Sequence, residues 1–400
     1  VTTFTVRGPA VPKKIALVLA IVIAVCIPLA VVVAGGSAGA AYPVTVESNL
    51  CYQSVKGVCT DGVSHEFDAY LPSGATQKTP GVIVIHGGGF IGGDKSGFAT
   101  IATQLAADGM AAFSINYRLD SATTVGFPME SQDVMAAISY IRAHAGKFNV
   151  DSTRLASFGS SAGATLAVYS AMQAQRTDPS AQVVADVGWS GGYDFTVGAS
   201  GTIDPTQLQN AEYYIGCTDP TVPSCLATAT AASAVSLVQP GDPATLLANS
   251  TDYKLGCEIV NPAQAQEMTA DLQQAGDTVQ LDLNSECAHA SGYANIELTP
   301  TVAFLEAHLF VAPTIISRSA TTFRVGTDKT FTVKVQADPA ATVTETGALP
   351  AGVSFATTGS GDATIAGTPG PGTSGTYPLV ITAANGGSPA AVQDFTLTVR

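Results

Sequence analysis

A serine, a histidine and a carboxylate can together move an acyl group if the fold brings them within hydrogen-bond reach. Ser161 is the central residue of Gly159-Ser160-Ser161-Ala162-Gly163, which follows the apolar run Leu155-Ala156-Ser157-Phe158 and precedes a helical stretch. This frame seats a serine on a sharp strand-to-helix turn, where small neighbours are needed because larger ones do not fit. The frame alone decides nothing, because Gly35-Gly36-Ser37-Ala38-Gly39 fits it too. Context sets Ser161 apart. Upstream, His86-Gly87-Gly88-Gly89-Phe90 follows Gly81-Val82-Ile83-Val84-Ile85. The glycines expose backbone N–H groups, so Gly88 and Gly89, with Ala162, are the expected oxyanion donors.

A serine hydroxyl needs a base near neutrality to take its proton. Of the 5 histidines, His289 lies just past the strand-like stretch Thr278–Leu283, where the C-terminal edge of a sheet would deliver it. A carboxylate must then fix the imidazole tautomer. Asp252, just after the strand-like Ala244–Asn249, is the better placed candidate, and Glu258 is the alternative.

The elements that must hold these residues alternate. Met110–Asn116, Arg154–Phe158 and Val183–Trp189 read as further strands. Ile101–Asp108, Met129–His144, Ala162–Gln175, Ala263–Ala275 and Thr301–Phe310 have helical spacing. Such alternation implies an α/β fold, a mostly parallel sheet with helices on both faces. The less regular stretch Gly191–Asp242 is expected to cover the site, with Trp189 and Tyr193 shaping its pocket. Beyond Ala312-Pro313 helical periodicity stops. Thr330–Val335 and Phe395–Val399 alternate as half-buried strands do, and Gly and Pro punctuate the rest, which predicts an all-β sandwich. The expected segments are a leader over 1–40, an α/β domain over 41–311 and a sandwich over 312–400.

Composition narrows the partners. The 400 residues are 46% hydrophobic and 12% charged, which supplies a core and excludes a disordered chain. The net charge is −14, and residues 1–40 carry Arg7, Lys13 and Lys14 but no acid, so the remainder is more acidic still. Nucleic acid is therefore excluded as a partner. Lys13-Lys14, the apolar run Ile15–Ala34 and the small-x-small triplet Ala38-Gly39-Ala40 read as a targeting segment, cleaved or, alternatively, retained as an anchor. Past Cys26 there are six cysteines, an even number that suits an oxidising, extracytoplasmic compartment. Proximity favours Cys51–Cys59 and Cys217–Cys225, leaving Cys257–Cys287, a bridge between the acid loop and the histidine loop. No Cys-x-x-Cys or paired-histidine spacing points to zinc, and neither metal nor organic cofactor is expected.

His86–Phe90, Gly93-Asp94-Lys95, Asn116-Tyr117-Arg118-Leu119, Gln132-Asp133-Val134, Asp151 with Arg154, Gly159–Gly163, and Asp252 with His289 together resemble the α/β-hydrolase superfamily. The branch is that of bacterial esterases akin to hormone-sensitive lipase and carboxylesterases, and the likeness spans roughly residues 65–310. It implies a triad on Ser161, Asp252 and His289, and an oxyanion hole on Gly88, Gly89 and Ala162. Ser160 stands where the family usually has an acid, Ala164 where a second glycine is common, and Ala248–Asp252 lacks the family's His-Gly. Gly347–Val353, Gly367-Thr368-Pro369, Gly375-Thr376-Tyr377 and Ala383-Ala384-Asn385 resemble the Ig-like, cadherin-like modules of bacterial surface proteins.

The expected activity is therefore that of a secreted or cell-surface serine hydrolase of carboxylic esters, acting on small-molecule or polymer-linked esters. The C-terminal module is expected to contact a cell surface or polymer. A serine peptidase of prolyl-oligopeptidase type, or a surface-binding protein with an inert hydrolase domain, are the alternatives. Acyl and alcohol specificity and oligomeric state are left open.

Overall fold

The computed structural model describes residues 42–400 except 56–57, 76, 122, 197–207, 218–221, 255 and 388. The expected leader and the Gly35–Gly39 frame lie outside the described residues.

Eight strands form one sheet: β1 (Val44–Cys51), β2 (Glu66–Pro72), β3 (Thr79–Ile85), β4 (Ala111–Ile115), β5 (Val150–Ser160), β6 (Ala185–Trp189), β7 (Ala244–Ser250) and β8 (Val279–Asn284). Their order is β1-β2-β4-β3-β5-β6-β7-β8, with β2 antiparallel to both β1 and β4 and all other pairs parallel. The central strands read as continuous apolar runs because both faces are covered. Val82 and Val84 of β3 point to one face, where helices α1 (Ala99–Ala107) and α7 (Ala294–Leu309) contribute Leu105, Leu305 and Leu309. Ile83 and Ile85 point to the other, against α2 (Met129–Ala143) and α3 (Ala162–Thr177) through Ile138 and Leu166. Helix α6 (Ala263–Ala275) packs Met268 and Leu272 against Val168 and Met172 of α3. Each fully buried aliphatic side chain contributes about 1.5–3 kcal/mol.

Two segments differ from the sequence expectation. Helix α7 begins at Ala294 rather than Thr301 and carries Pro300 within it. Proline costs an interior helical hydrogen bond, but tertiary contacts hold the helix on both sides of it. Tyr293 is buried just ahead of the helix, and Thr301 Oγ1 accepts the Trp189 indole N–H at 3.0 Å. The irregular stretch after β6 contains α4 (Leu208–Ile215) and α5 (Pro223–Ala232), whose Thr/Ser/Ala-rich composition hides its helical character.

The C-terminal part is all β. Strands β9 (Val311–Ile315), β10 (Ala320–Phe323), β11 (Lys329–Val333), β12 (Val335–Asp338), β13 (Thr342–Gly347), β14 (Val353–Thr357), β15 (Ala363–Gly367), β16 (Gly375–Ala384) and β17 (Ala391–Val399) follow in order. The sheets β10-β17-β16-β13 and β11-β15-β14 enclose Phe323, Ile365, Ile381, Phe395 and Leu397, while β9 pairs with β12. Arg154 ties this part to the first. It binds Asp151 at 2.9 Å, donates to the carbonyls of Lys78 (2.9 Å) and Leu309 (3.1 Å), and pairs with Asp338. These contacts fall toward the N-terminal ends of β3 and β5, whereas Ser161 follows the C-terminal end of β5.

Candidate active site

Strand β5 delivers Ser161 to the start of α3 with φ +54° and ψ −124°, a backbone conformation that L-residues rarely adopt. The turn is held by the Ser161 N–H, which donates to the Trp189 carbonyl at 2.7 Å. It closes only over glycine. A Cβ on Gly163 would run into the carbonyl oxygens of Ile85 and His86. Ser160 is buried beside it.

The loop after β3 lies against this turn. Gly88 has φ +126°, and a Cβ there would collide with the Gly92 carbonyl. The N–H groups of Gly88, Gly89 and Ala162 donate to no protein acceptor among the described residues. His86 anchors the loop rather than the chemistry. Its ring stacks on Tyr117 with centroids 4.4 Å apart, its Nδ1–H donates to the Gly87 carbonyl at 2.7 Å, and the Tyr117 hydroxyl donates to the His86 carbonyl at 2.9 Å. Burial pulls the His86 imidazole below the ordinary histidine range, so it stays neutral.

His289 follows β8 and faces the turn. Its Nε2 lies 2.9 Å from Ser161 Oγ and its Nδ1 lies 2.6 Å from Glu258 Oε1. The carboxylate can only accept, so Nδ1 carries the proton and Nε2 is left to accept the serine O–H. Glu258 is fully buried. Its Oε1 also accepts the N–H groups of Ile259 and Val260, both at 2.9 Å, and Oε2 accepts the Ser190 hydroxyl at 2.6 Å. Ser190 in turn accepts the Ala290 N–H at 3.0 Å and touches the Tyr293 hydroxyl. The acid, its clamp and the residue after the histidine thus form one buried network.

The expectation that Asp252 would meet His289 is corrected: the carboxylate that reaches the imidazole is Glu258. Strand β7 ends at Ser250, and the chain then makes an outward excursion before returning. The excursion closes where Lys254 N–H donates to the Glu258 carbonyl (3.1 Å) and Glu258 N–H donates to the Asp252 carbonyl (3.3 Å). Asp252 sits on its rim in an ion pair with Lys254 at 2.8 Å. The Cys257–Cys287 disulfide, Cα atoms 4.4 Å apart, pins the return next to Glu258 and two residues before His289. Cys51–Cys59 and Cys217–Cys225 also pair, at 5.4 and 5.6 Å. Asp252, Cys257 and Cys287 are the one cluster of potential metal-ligand atoms among the described residues, and its two sulfurs are bonded to each other.

The remaining candidates lie elsewhere. His65 Nε2 is 3.3 Å from Asp133, which also takes the Arg118 guanidinium at 2.6 Å, and this pair braces the fold behind the site. His144 donates to the Tyr140 carbonyl at 2.8 Å. Trp189 and Tyr193 are fully buried and do not line the cleft, contrary to expectation. Phe90, Phe195, Asn210, Ala211, Ile259 and Val260 do. Asn210, on α4, packs its carboxamide over Gly89. Nothing in the sequence around Asn210 or Ser190 marks either position.

This sheet order, with a serine on a strained strand-to-helix turn and a glycine loop beside it, defines an α/β-hydrolase. The BD-FAE family model matches residues 67–272, and the chain belongs to that family. An Ig domain family model matches residues 312–400. The esterase LipC of Mycobacterium tuberculosis is 33% identical over 131 residues, 32% of this chain and 31% of LipC, so the match spans about a third of that relative. Among solved structures, a truncated form of a carbohydrate esterase from gut microbiota superposes with a TM-score of 0.55 at 21% identity, over 68% of this chain and 98% of the other. A bacterial heroin esterase does so with a TM-score of 0.53 at 22% identity, over 67% and 85%. These structures share the fold of the first part of the chain.

Proposed function

We propose that the chain is an exported serine carboxylic-ester hydrolase that works through an acyl-enzyme. The observation that carries this is the relay from Ser161 Oγ through His289 to Glu258, at 2.9 and 2.6 Å, beside backbone N–H groups with no acceptor among the described residues. Ser161 Oγ attacks the ester carbonyl as its proton passes to His289 Nε2. The carbonyl electrons move onto oxygen, which the N–H groups of Gly88, Gly89 and Ala162 receive; one such donor is worth about 3–4 kcal/mol. Collapse breaks the bond to the alcohol oxygen, which takes the proton from Nε2. Water then gives a proton to Nε2 as it attacks the acyl carbon, and collapse breaks the bond to Ser161 Oγ, which takes that proton back from Nε2 as the acid leaves. Glu258 keeps the imidazole in the tautomer this requires, the role the sequence had favoured for Asp252.

Three disulfides support export. No helix among the described residues is long and apolar enough to cross a membrane. The Ig-like module, held at the end of the sheet away from Ser161, is proposed to contact a cell surface or polymer. The catalytic reading predicts a burst of p-nitrophenol from p-nitrophenyl acetate that is lost in Ser161→Ala and kept in Ser160→Ala. Equal activity in the two variants would sink it.

A further inference from the structure

We propose that Asp120 and Glu130 share a single proton and, by sharing it, position the oxyanion loop. The proposal rests on the serine-esterase reading above and adds two positioning residues to its site. Both carboxyls are buried, Asp120 in the chain leaving β4 and Glu130 in the first turn of α2. They face each other across Gly126, where a Cβ would run into Glu130 Oε1 and Asp120 Oδ1 alike. With both groups ionised, none of the four oxygens has a hydrogen-bond partner among the described residues. Two carboxylates in contact and out of water cannot both be charged. One proton between them turns the contact into a charge-assisted hydrogen bond. The surrounding groups do not relieve the charge. Tyr117 and Tyr214 are buried phenols whose ionisation burial pushes up, Tyr169 of α3 faces Tyr214, and His86 is neutral. Asp133 of α2 adds negative charge, while Arg118 is held by Asp133 and Asp61 and His65 by Asp133. Burial, and after it Asp120, raises Glu130 from 4.5 to about 10.

The pair sits where it can hold the loop that carries Gly88 and Gly89. The Asp120 N–H donates to the Phe90 carbonyl at 2.9 Å. Phe90 follows Gly89 directly and has φ +67°, a left-handed conformation that a bulky residue keeps only with outside support. Its ring stacks on Tyr214 at 4.1 Å, and the Tyr214 carbonyl accepts the Phe127 N–H at 2.8 Å. The segment between the two carboxyls therefore ties down α4 as well, the helix whose Asn210 packs over Gly89. Losing the shared proton puts two like charges in contact, drives Asp120 off Glu130 and pulls on the Phe90 carbonyl beside the oxyanion donors. Those donors act on the transition state rather than on bound substrate, so the change falls on kcat more than on KM.

Glu130→Gln tests this without removing the contact. Its amide N–H donates to the Asp120 carboxylate, which keeps the charge of the pair and leaves no proton to lose. Glu130→Ala instead leaves Asp120 buried without a partner. The kcat and KM of the full chain are measured on phenyl acetate, with the uncatalysed rate subtracted and near-ultraviolet circular dichroism checking the fold. At about pH 8, Glu130→Gln should keep kcat within about threefold of wild type, and Glu130→Ala should lose at least about tenfold. From about pH 8 to about 10.5 the ratio of wild-type to Glu130→Gln kcat should fall about fourfold, as one group titrating near 10 requires, with KM little changed. The infrared difference spectrum of wild type against Glu130→Gln at neutral pH should show a protonated-carboxyl C=O stretch that the variant lacks, a readout that needs no activity. The proposal is overturned if the kcat ratio is the same at both ends of the pH range, if Glu130→Gln is as impaired at neutral pH as Glu130→Ala, or if the infrared band is absent. If no ester is cleaved and a fluorophosphonate fails to label Ser161, the serine-esterase reading itself has failed, and the positioning claim with it.

Discussion

Replacing Glu258 by glutamine removes one negative charge and almost nothing else. The side chain keeps its length, and a carbonyl oxygen at the Oε1 position can still accept from His289 Nδ1, Ile259 N and Val260 N. The new amide nitrogen faces Ser190 Oγ, which has a lone pair to offer once its own proton turns toward the adjacent Tyr293 hydroxyl. What is lost is attraction to the imidazolium that forms as Ser161 attacks. With the charge centres about 4 Å apart and an effective dielectric of about 20, that attraction is about 4 kcal/mol. At 1.36 kcal/mol per factor of ten, kcat should fall about a thousandfold in Glu258→Gln. KM should change little, because the charge develops only after binding. Asp252→Asn, which breaks only a rim ion pair with Lys254, should stay within about threefold of wild type. The assay is steady-state p-nitrophenyl acetate hydrolysis, with thermal melts to show that Glu258→Gln remains folded. If Glu258→Gln kept more than a tenth of the activity, or Asp252→Asn lost as much, the assignment of the acid would be wrong.

Two further outcomes follow from the loops and the domain junction. The Cys257–Cys287 bridge spans 30 residues, a closure worth roughly 3–4 kcal/mol in the chain-entropy model. The double variant Cys257→Ser/Cys287→Ser should melt several degrees lower and lose kcat more than KM, since both Glu258 and His289 hang from it; unchanged kcat would show that the bridge does not align them. Glu306 is buried, with Gly386 of the C-terminal part against its carboxyl, and burial followed by the nearby Asp108 raises it from 4.5 to about 7. Its folded form therefore binds more protons than its unfolded form between about pH 4.5 and 7, and its contribution to stability falls as pH rises through that window. Denaturant melts should show this decline, at most about 3 kcal/mol, flattened in Glu306→Gln. A slope identical in the variant would refute it.

The positions of the serine and the glycine loop were legible because each follows an apolar strand, and that of the histidine because it follows the half-buried strand β8. A strand's C-terminal edge is a fixed place once the alternation of strands and helices is read. The acid was harder. Asp252 lies nearest the end of β7 in sequence, but the chain leaves the sheet there, and only the folded excursion returns Glu258 to the imidazole. Linear distance from a strand end measures position poorly when a loop doubles back. The cysteines at 257 and 287 held a clue, since a bridge there brings residue 258 rather than 252 beside the histidine loop. Trp189 and Tyr193 misled for a different reason: large aromatic side chains after a strand serve a core as readily as a pocket, and here the core took both. Asn210 was invisible because its role depends on where α4 lands over Gly89, a tertiary event with no local pattern. Helix α7 ran past Pro300 because packing on either side outweighed the proline.

The central claim is that Ser161 is the acylated nucleophile. Treating the folded chain with a fluorophosphonate and mapping the modified peptide tests it most directly. The account predicts one adduct, on Ser161, formed by wild type and by Ser160→Ala, slowed in Glu258→Gln and absent in Ser161→Ala. An adduct on Ser160 or any other residue, or none on a chain that still hydrolyses p-nitrophenyl acetate, would contradict it.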